Sequence, residues 1–193
     1  GNIIRSKTTE ALVKLGESWN VSVPNINGYK YRGLATNSDQ LSGTIGTNNI
    51  GEKSIKLIYD KMLDLTYYQN YPSSVSPSSV TEAYAKGTTQ TLPDASKFGF
   101  AANGYDFVSW NTSPDGSGTA ANAGSRFTLN DNTKLYAQWE LKELTVTFVD
   151  CFGNTLIIQT VKYGSSANAP ADPSYTGKTF SGWDKDFTNV TQD

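Results

Sequence analysis

The sequence contains no histidine and a single cysteine, Cys151. The lack of histidine excludes Ser-His-Asp and Cys-His nucleophile pairs and every metal site built on imidazole. One cysteine can form neither an intramolecular disulfide nor a cysteine-ligated zinc site, so we interpret Cys151 as an incidental turn residue. We therefore predict that the chain is not an enzyme and uses no cofactor.

The chain also has neither a large excess of charge of one sign nor a long apolar run. Lys and Arg total 16 and Asp and Glu total 18, which leaves a net charge of −2 and no basic surplus to neutralise phosphates. We therefore expect no nucleic-acid partner. The longest purely aliphatic run, residues 156–158, is far shorter than the roughly 20 apolar residues that span a bilayer, so we expect no membrane insertion.

One seven-residue phrase occurs three times. It has glycine at the first place, an aromatic at the fourth, a small residue at the sixth and a large apolar residue at the seventh. The copies occupy residues 28–34, 104–110 and 177–183, and their starts lie 76 and 73 residues apart. Repetition at near-constant spacing is typical of an array of like modules.

We predict three such modules, at residues 1–62, 63–141 and 142–193. Each contains runs in which apolar and polar residues alternate, bounded by clusters of Gly, Pro, Ser and Asn, as is typical of short strands. Only residues 140–143 separate the last two modules, which predicts that these adjoin. The fold class is therefore mainly β, α+β at most, with helix confined to short turns such as residues 95–98.

Local patterns predict individual elements as well. Each copy of the seven-residue phrase is expected to form a short strand, as are residues 54–59 and 63–68, where apolar and polar residues alternate. Residues 150–154 are predicted to form a hairpin turn in which Gly153 takes a positive φ.

Acidic residues are the remaining candidates for chemistry. Residues 115–118 and 184–186 could supply oxygen ligands to calcium, but neither has the regularly spaced carboxylates of a dedicated loop, so hairpin turns are favoured. A glycosidase needs two carboxylates about 5 to 9.5 Å apart across a cleft. The carboxylates available for that role are Asp94, Asp106, Glu140, Asp150 and Asp172. Three small modules predict no single deep cleft, so we assign no catalytic, cofactor-binding or metal-ligating residue and leave the binding residues open.

Aromatic residues could either fill the cores or stack on sugars. The regularly placed ones, which we expect in the cores, are Trp110, Trp139 and Trp183. The less regularly placed ones, which we expect to be more exposed, are Trp19, Tyr67 and Tyr68. A contiguous exposed apolar or aromatic patch would favour a binding role, whereas a uniformly polar surface would favour a structural one.

The motifs of the last two modules resemble a known family. The third module contains V-T-F-V-D at residues 146–150 and F-S-G-W-D at 180–184. In these it resembles an internalin-type B repeat, also called the Listeria–Bacteroides repeat. The second module resembles a longer form of that repeat through G-Y-D-F at 104–107 and L-Y-A-Q-W at 135–139.

The first module resembles a different repeat. With L-G-E at residues 15–17, G-Y at 28–29 and I-K-L-I-Y at 55–59, it is similar to the mucin-binding-protein (MucBP) repeat. It departs from that pattern at Leu34, which replaces an aromatic or valine.

The resemblance implies small β-grasp-like (ubiquitin-like) modules in tandem, in an extracellular protein of the cell wall of a Gram-positive bacterium. The implied function is the stalk or spacer of a surface protein or adhesin, whose partners are the neighbouring modules. The alternative is a binding module for host mucin, glycan or protein.

Repeat register adds an expectation about strands. Aligned with the third module, the first module is expected to lack its first strand, which would leave residues 54–59 short of backbone partners or paired with another molecule. The third module is expected to lack the closing strand that corresponds to residues 135–137.

Overall fold

A computed structural model describes residues 11–72 and 78–193 of the chain. Two compact units are described: unit one contains residues 11–63 and Tyr84–Lys86, and unit two contains the remaining described residues. The fold is mainly β, as predicted, and its one described helix is a four-residue 3-10 turn at Ala95–Phe98. The division into three modules stays a prediction, and we keep the module names for the residue ranges given above.

Twelve strands lie in the described part of the chain. They are β1 (Ser18–Asn20), β2 (Tyr29–Leu34), β3 (Ser42–Thr44), β4 (Leu57–Tyr68), β5 (Ser79–Ala85), β6 (Thr89–Thr91), β7 (Tyr105–Asn111), β8 (Ala120–Ala121), β9 (Arg126–Thr128), β10 (Thr133–Leu141), β11 (Glu143–Val149) and β12 (Thr155–Lys162).

Unit one contains β1, β2, β3 and the first half of β4. β1 and β3 pair antiparallel, and Trp19 lies opposite Gly43 so closely that its ring leaves no room there for a side chain. β2 pairs antiparallel with residues 57–61 of β4, with a bulge between Tyr31 and Gly33. The first repeated phrase is therefore a strand, and it supplies one edge of residues 57–61 with partners from the same chain. The expected upstream strand for the other edge stays a prediction.

The structure corrects one strand boundary. We expected separate strands at residues 54–59 and 63–68, but β4 runs without interruption from Leu57 to Tyr68. The connecting residues contain no glycine or proline, and neighbours hold their backbone: Met62 N–H donates to Gly28 O and Lys86 N–H to Lys61 O, both at 2.8 Å. Backbone partners on both sides thus keep this stretch extended.

Module two is organised around β10. This strand lies between β4, with which it pairs in parallel through residues 65–68, and β7, with which it pairs antiparallel. β8 pairs antiparallel with the end of β7, and β6 pairs antiparallel with β9. The largest fully buried side chains are Leu65, Tyr67, Leu92, Trp110, Leu129 and Leu135. Burial of such side chains contributes about 1.5–3 kcal/mol each and makes this the main core.

The predicted short helical turn in module two is confirmed at Ala95–Phe98. Asp94 caps its start, because one carboxylate oxygen accepts from Ser96 N–H at 2.9 Å. Gly99 ends it with a φ of 70°, a left-handed conformation that favours glycine.

Module three contains the hairpin of β11 and β12. Its turn, residues 150–154, is confirmed, and Gly153 adopts a φ of 85° there. The repeated phrase at residues 177–183 differs from the earlier copies, since residues 178–183 form no strand. The matching strand in module two, β7, pairs with β10. Among the described residues, no strand pairs with residues 178–183.

The joint between modules two and three is a set of contacts within unit two. Lys142 donates its N–H to Gly104 O at 3.0 Å and accepts at its own carbonyl from Tyr163 N–H at 2.8 Å. The Tyr163 ring lies against Gly104 and leaves no room for a Cβ, while its hydroxyl accepts from Asn103 Nδ2 at 3.2 Å. Gly104 therefore makes room for the Tyr163 ring at the joint and also allows the positive φ of its own turn.

Candidate functional site

The first acidic turn, at residues 115–118, is stabilised by side-chain hydrogen bonds. Ser113 Oγ and Ser117 Oγ donate to one oxygen of Asp115 at 2.6 and 2.7 Å, and Ser117 N–H donates to it at 3.0 Å. These hydrogen bonds, that of Ser113 foremost, lower the pKa of Asp115 to about 2. The Asp115 carboxylate therefore stabilises the turn.

The second acidic turn is built in the same way. Asp186 accepts from the N–H and the hydroxyl of Thr188 at 2.8 and 2.7 Å, which lowers its pKa. Asp184 is exposed. No group of three or more acidic or cysteine side chains that could hold a metal ion occurs among the described residues.

The candidate glycosidase carboxylates have separate positions. Asp94 caps the 3-10 turn and Asp172 is exposed on a loop. Asp106 and Glu140 lie opposite each other in the β7–β10 register, but both are exposed. Asp150 is buried and serves its turn. Two grooves of module two are open to solvent: one, of about 590 Å³, has no carboxylate in its lining, and the other, of about 460 Å³, has one.

Asp150 anchors the β11–β12 turn. It accepts from the Tyr175 hydroxyl at 2.6 Å, from Asn154 Nδ2 at 2.9 Å, and from the N–H groups of Phe152 and Asn154 at 2.9 and 2.8 Å. The bond from Tyr175, followed by those from Asn154, holds the pKa of the Asp150 carboxyl far below its ordinary range and raises the pKa of Tyr175. Cys151 is exposed in the same turn.

The aromatic expectations are met in part. Trp110 is fully buried, and Trp139 and Trp183 are half-buried. The expectation for Tyr67 was wrong: only 1% of it is exposed, because it packs against Phe98 and Trp110 at centroid distances of 4.5 and 4.9 Å. The other two candidates are half-buried: Tyr68 stacks on Tyr136 at 4.9 Å, and Trp19 covers Gly43.

An apolar surface lies on the outer face of the module three hairpin. Thr147, opposite Ile158, is exposed, whereas the adjacent Phe148 is buried, so Ile158 and Leu156 belong to the outward parity. Ile158 is 62% exposed and Leu156 38%. Val149 is 46% exposed and Phe152, in the turn, 62%. We call Val149, Phe152, Leu156 and Ile158 the apolar hairpin face.

At two of the matching positions, module two carries hydroxyl side chains instead. The N–H of Asp64 donates to Asn132 Oδ1 as that of Thr145 donates to Asp193 Oδ1, and the N–H of Gly87 donates to Leu129 O as that of Gly164 donates to Val190 O. These matching hydrogen bonds align the strands of the two modules, so Thr66 corresponds to Thr147. Thr66 Oγ1 and Thr81 Oγ1 lie 2.9 Å apart, as expected of a cross-strand pair that corresponds to Thr147 and Ile158. Thr81 therefore stands where module three has Ile158, and Ser79 where it has Leu156. The sequence held a signal for this face: residues 156–158 are apolar on both parities, although we weighed that run only as a membrane span.

Comparison with known proteins identifies the family. The model of the Listeria-Bacteroides repeat domain matches residues 65–138 and 145–193, which together are more than half of the chain. The chain therefore belongs to the Listeria-Bacteroides repeat family. Such a repeat indicates the repeat region of a surface protein.

Two similar proteins come from Evansella cellulosilytica. One, provisionally named a Gly-rich membrane protein, is 31% identical over 118 residues; the other, provisionally named a membrane protein, is 30% identical over 109 residues. The matched parts are 61% and 56% of this chain but only 13% and 15% of those relatives. Within the described ranges, no helix has the length and apolar character that a membrane span requires.

Proposed function

We propose that this chain is part of the extracellular repeat region of a cell-wall-anchored Gram-positive surface protein or adhesin, and that it acts there as a stalk or spacer, not as an enzyme. The observation that carries the proposal is the joint between two copies of one repeat. Two backbone hydrogen bonds through Lys142 and the Tyr163 ring on Gly104 hold the copies together. A spacer keeps a large end-to-end distance only if the joints between its modules are stiff.

We further infer that the modules are β-grasp-like, with module one a MucBP-like repeat. In that arrangement the first strand of a module lies between the second strand and the closing strand. β4 pairs with β5 and, in parallel, with β10, which supports the inference for module two.

Stiffness of the joint can be measured with spin labels. Cys151 is exposed, and Ala123 on module two is exposed as well, so an Ala123→Cys variant labelled at both thiols reports the distance between the modules. We expect one narrow distance distribution by pulsed electron paramagnetic resonance. Tyr163→Ala removes the ring from Gly104 and should broaden the distribution. A distribution that is broad from the start would contradict a spacer role for this joint.

Surface location needs its own experiment. An antibody raised against the chain should label intact, unpermeabilised cells of the source organism, and release of the antigen by a cell-wall hydrolase would support wall anchoring. Labelling only after permeabilisation would exclude the extracellular role.

The apolar hairpin face favours a second candidate function, a binding module for host mucin, glycan or protein. Exposed clusters that include large apolar side chains are typical of interaction sites. Lys178 lies with its Nζ 5.4 Å from the Phe152 ring centre and adds a positive charge beside this face.

The alternative can be tested by transplanting the surface of module two. A Leu156→Ser, Ile158→Thr double variant gives module three the outward residues of module two. If this face binds, the double variant should lose at least tenfold in affinity for immobilised mucin or glycans, whereas Val108→Thr, at an exposed site of module two, should not. Equal binding by all three chains, or none by the unaltered chain, would remove this candidate.

A further inference from the structure

The dipeptide Asn-Gly occurs at two places in the chain, as Asn27-Gly28 and as Asn103-Gly104, and Tyr follows it both times. Each glycine opens one of the repeated phrases. In this dipeptide the glycine nitrogen can attack the side-chain carbonyl carbon of asparagine, because no side chain shields that nitrogen and glycine adopts conformations closed to other residues. The third phrase is preceded by Thr176, which has no side-chain amide to react.

The reaction is a deamidation that requires only water. A bond forms between the glycine nitrogen and the asparagine Cγ, while the bond from Cγ to Nδ2 breaks. The proton of the glycine nitrogen and the former amide group leave together as ammonia, and a cyclic succinimide remains. Water then opens the ring at either carbonyl. The product is aspartate, or isoaspartate, whose backbone includes the former side-chain methylene.

The two dipeptides lie in the same kind of turn. In each, the residue after glycine donates its N–H to the carbonyl of the residue before asparagine at 3.0 Å. Gly28 and Gly104 have φ values of 78° and 76°. The carbonyl of each glycine accepts a backbone N–H, from Met62 at 2.8 Å and from Lys142 at 3.0 Å respectively. Neither glycine N–H donates a hydrogen bond to a group in the described part of the chain. Backbone geometry alone therefore predicts equal reactivity.

The surroundings of the two dipeptides differ. Gly28 is exposed, and a Cβ built on it would have no neighbour within 4 Å. Gly104 is buried, and the Tyr163 ring lies so close to it that a Cβ there would overlap the ring carbons. The Asn103 amide also donates from Nδ2 to the Tyr163 hydroxyl at 3.2 Å. The ring therefore occupies the space that the cyclic intermediate needs at Gly104, whereas that space is open at Gly28.

We propose that Asn27-Gly28 is a site of spontaneous deamidation in the folded chain, and that the Tyr163 ring protects the matching Asn103-Gly104 site. Loss of the ring's cover and of one hydrogen bond corresponds to a rate ratio of about tenfold or more. The isoaspartate product lengthens the backbone directly before Gly28, whose carbonyl accepts from Met62 N–H. Deamidation therefore loosens the start of the β2–β4 ladder in unit one and leaves the joint between modules two and three intact.

Peptide mapping by mass spectrometry measures both sites in one sample of the whole chain, incubated at mildly alkaline pH. The exchange of –NH2 for –OH changes the mass and identifies each converted peptide. We expect Asn27 to convert at least tenfold faster than Asn103, and both rates to rise with pH, because the glycine nitrogen attacks after it loses its proton. In urea, where the chain is unfolded, the two rates should be equal. Asn27→Gln is the control, since the longer side chain cyclises much more slowly.

Two substitutions of Tyr163 identify the cause of protection. Tyr163→Phe keeps the ring and removes the hydroxyl, so Asn103 should stay slow. Tyr163→Ala uncovers Gly104, and Asn103 should then convert about as fast as Asn27, while slow hydrogen exchange of the β10 amides shows that module two remains folded.

The third turn supplies a matched test that leaves the joint unaltered. Gly177 is exposed with a φ of 75°, and a Cβ built on it would have no neighbour within 4 Å, as at Gly28. In a Thr176→Asn variant the added amide should therefore convert at the rate of Asn27 and not at that of Asn103.

The structural consequence is measured on the converted chain. Hydrogen exchange of the Met62 amide should be faster after conversion of Asn27, with no change at the Lys142 amide. Unchanged exchange at Met62 would contradict the loosening of β2 and β4.

Four results would overturn the proposal. The first is equal conversion of the two sites in the folded chain. The second is no conversion of Asn27 in the folded chain over the time in which it converts in urea. The third is slow conversion of Asn103 in a folded Tyr163→Ala variant. The fourth is fast conversion of Asn103 in Tyr163→Phe, because the hydroxyl and not the ring would then be the protecting group.

Discussion

Modules two and three share one aromatic cluster and differ in how it is covered. Tyr67 meets Trp110 at 4.9 Å and 64°, and Phe148 meets Trp183 at 4.9 Å and 74°. In module two, β10 lies between the strands that carry Tyr67 and Trp110, and Trp110 is fully buried, whereas Trp183 in module three is half-buried. The difference teaches that local sequence specifies the cluster, while burial and strand structure depend on a distant partner strand.

The largest expected effect compares the two tryptophans. Trp110→Ala should lower the free energy of unfolding of module two by about 3–5 kcal/mol, because it leaves a cavity and removes the indole bond to Pro93 O at 2.7 Å. Trp183→Ala should lower that of module three by less than half as much, since its ring already contacts water. Denaturant titration with residue-resolved hydrogen exchange separates the modules. Equal losses would mean that β10 adds little to the burial of Trp110.

A matched pair of glycines isolates the joint. Gly104 and Gly177 open the same phrase with φ values of 76° and 75°, so an alanine at either meets the same backbone strain, about 1–2 kcal/mol. Only at Gly104 does the added Cβ also meet the Tyr163 ring. Gly104→Ala should therefore destabilise more than Gly177→Ala, as measured by thermal unfolding.

If the Tyr163 ring causes the larger loss of stability in Gly104→Ala, then in a Tyr163→Ala background Gly104→Ala and Gly177→Ala should destabilise equally. A persistent excess would trace the penalty to the Gly104 turn itself and would count against a packed joint.

Acid should affect the β11–β12 turn of module three more than the matching residues of module two. Asp150 in module three corresponds to Gln69 in module two, which does not titrate. Because the folded-state pKa of Asp150 lies below its ordinary value of 3.8, ionised Asp150 stabilises the folded turn above about pH 4, and this contribution is lost as the pH falls toward the folded-state pKa. We expect the β11–β12 amides to lose exchange protection over that range.

The Asp150→Gln variant should have lower protection near neutral pH and a flatter acid profile. Asp115→Asn is the control, because the lowered pKa of Asp115 acts on the loop of module two. An acid profile at β11–β12 that Asp150→Gln leaves unchanged would exclude this carboxylate as its source.

Much of the fold could be predicted because its determinants are local. Alternation and turn residues correctly predicted the hairpin turn with Gly153 and the short helix ended by Gly99, since glycine alone readily takes those φ values. The same reasoning failed for residues 178–183, which have the composition of β7 but no described strand beside them. Strand formation there depends on a neighbour that period-two patterns do not reveal.

The candidate site was predicted less well than the fold. Tyr67 was expected to be exposed because it is not one of the regularly placed aromatic residues, and only the contacts with Phe98 and Trp110, more than 30 residues away, place it in the core. The apolar hairpin face was visible in the sequence as apolar residues on both parities. Its outward direction required the cross-strand register of β11 and β12.

The smallest expected effect concerns what β10 brings besides apolar side chains. Glu140 lies directly opposite Asp106, both exposed, and like charges in that position destabilise an antiparallel pair by roughly 0.2–1 kcal/mol. Lys142 Nζ, 3.8 Å from Asp106, offsets part of this repulsion. Glu140→Gln should therefore stabilise module two by a few tenths of a kcal/mol in low salt, and by less at 1 M salt, where the screening length is about 3 Å.

The salt dependence also identifies the cause of the effect. If strand propensity rather than the facing charges were the cause, Glu140→Gln would stabilise module two by the same amount in low salt and at 1 M salt, and that result would contradict the charge-pair account.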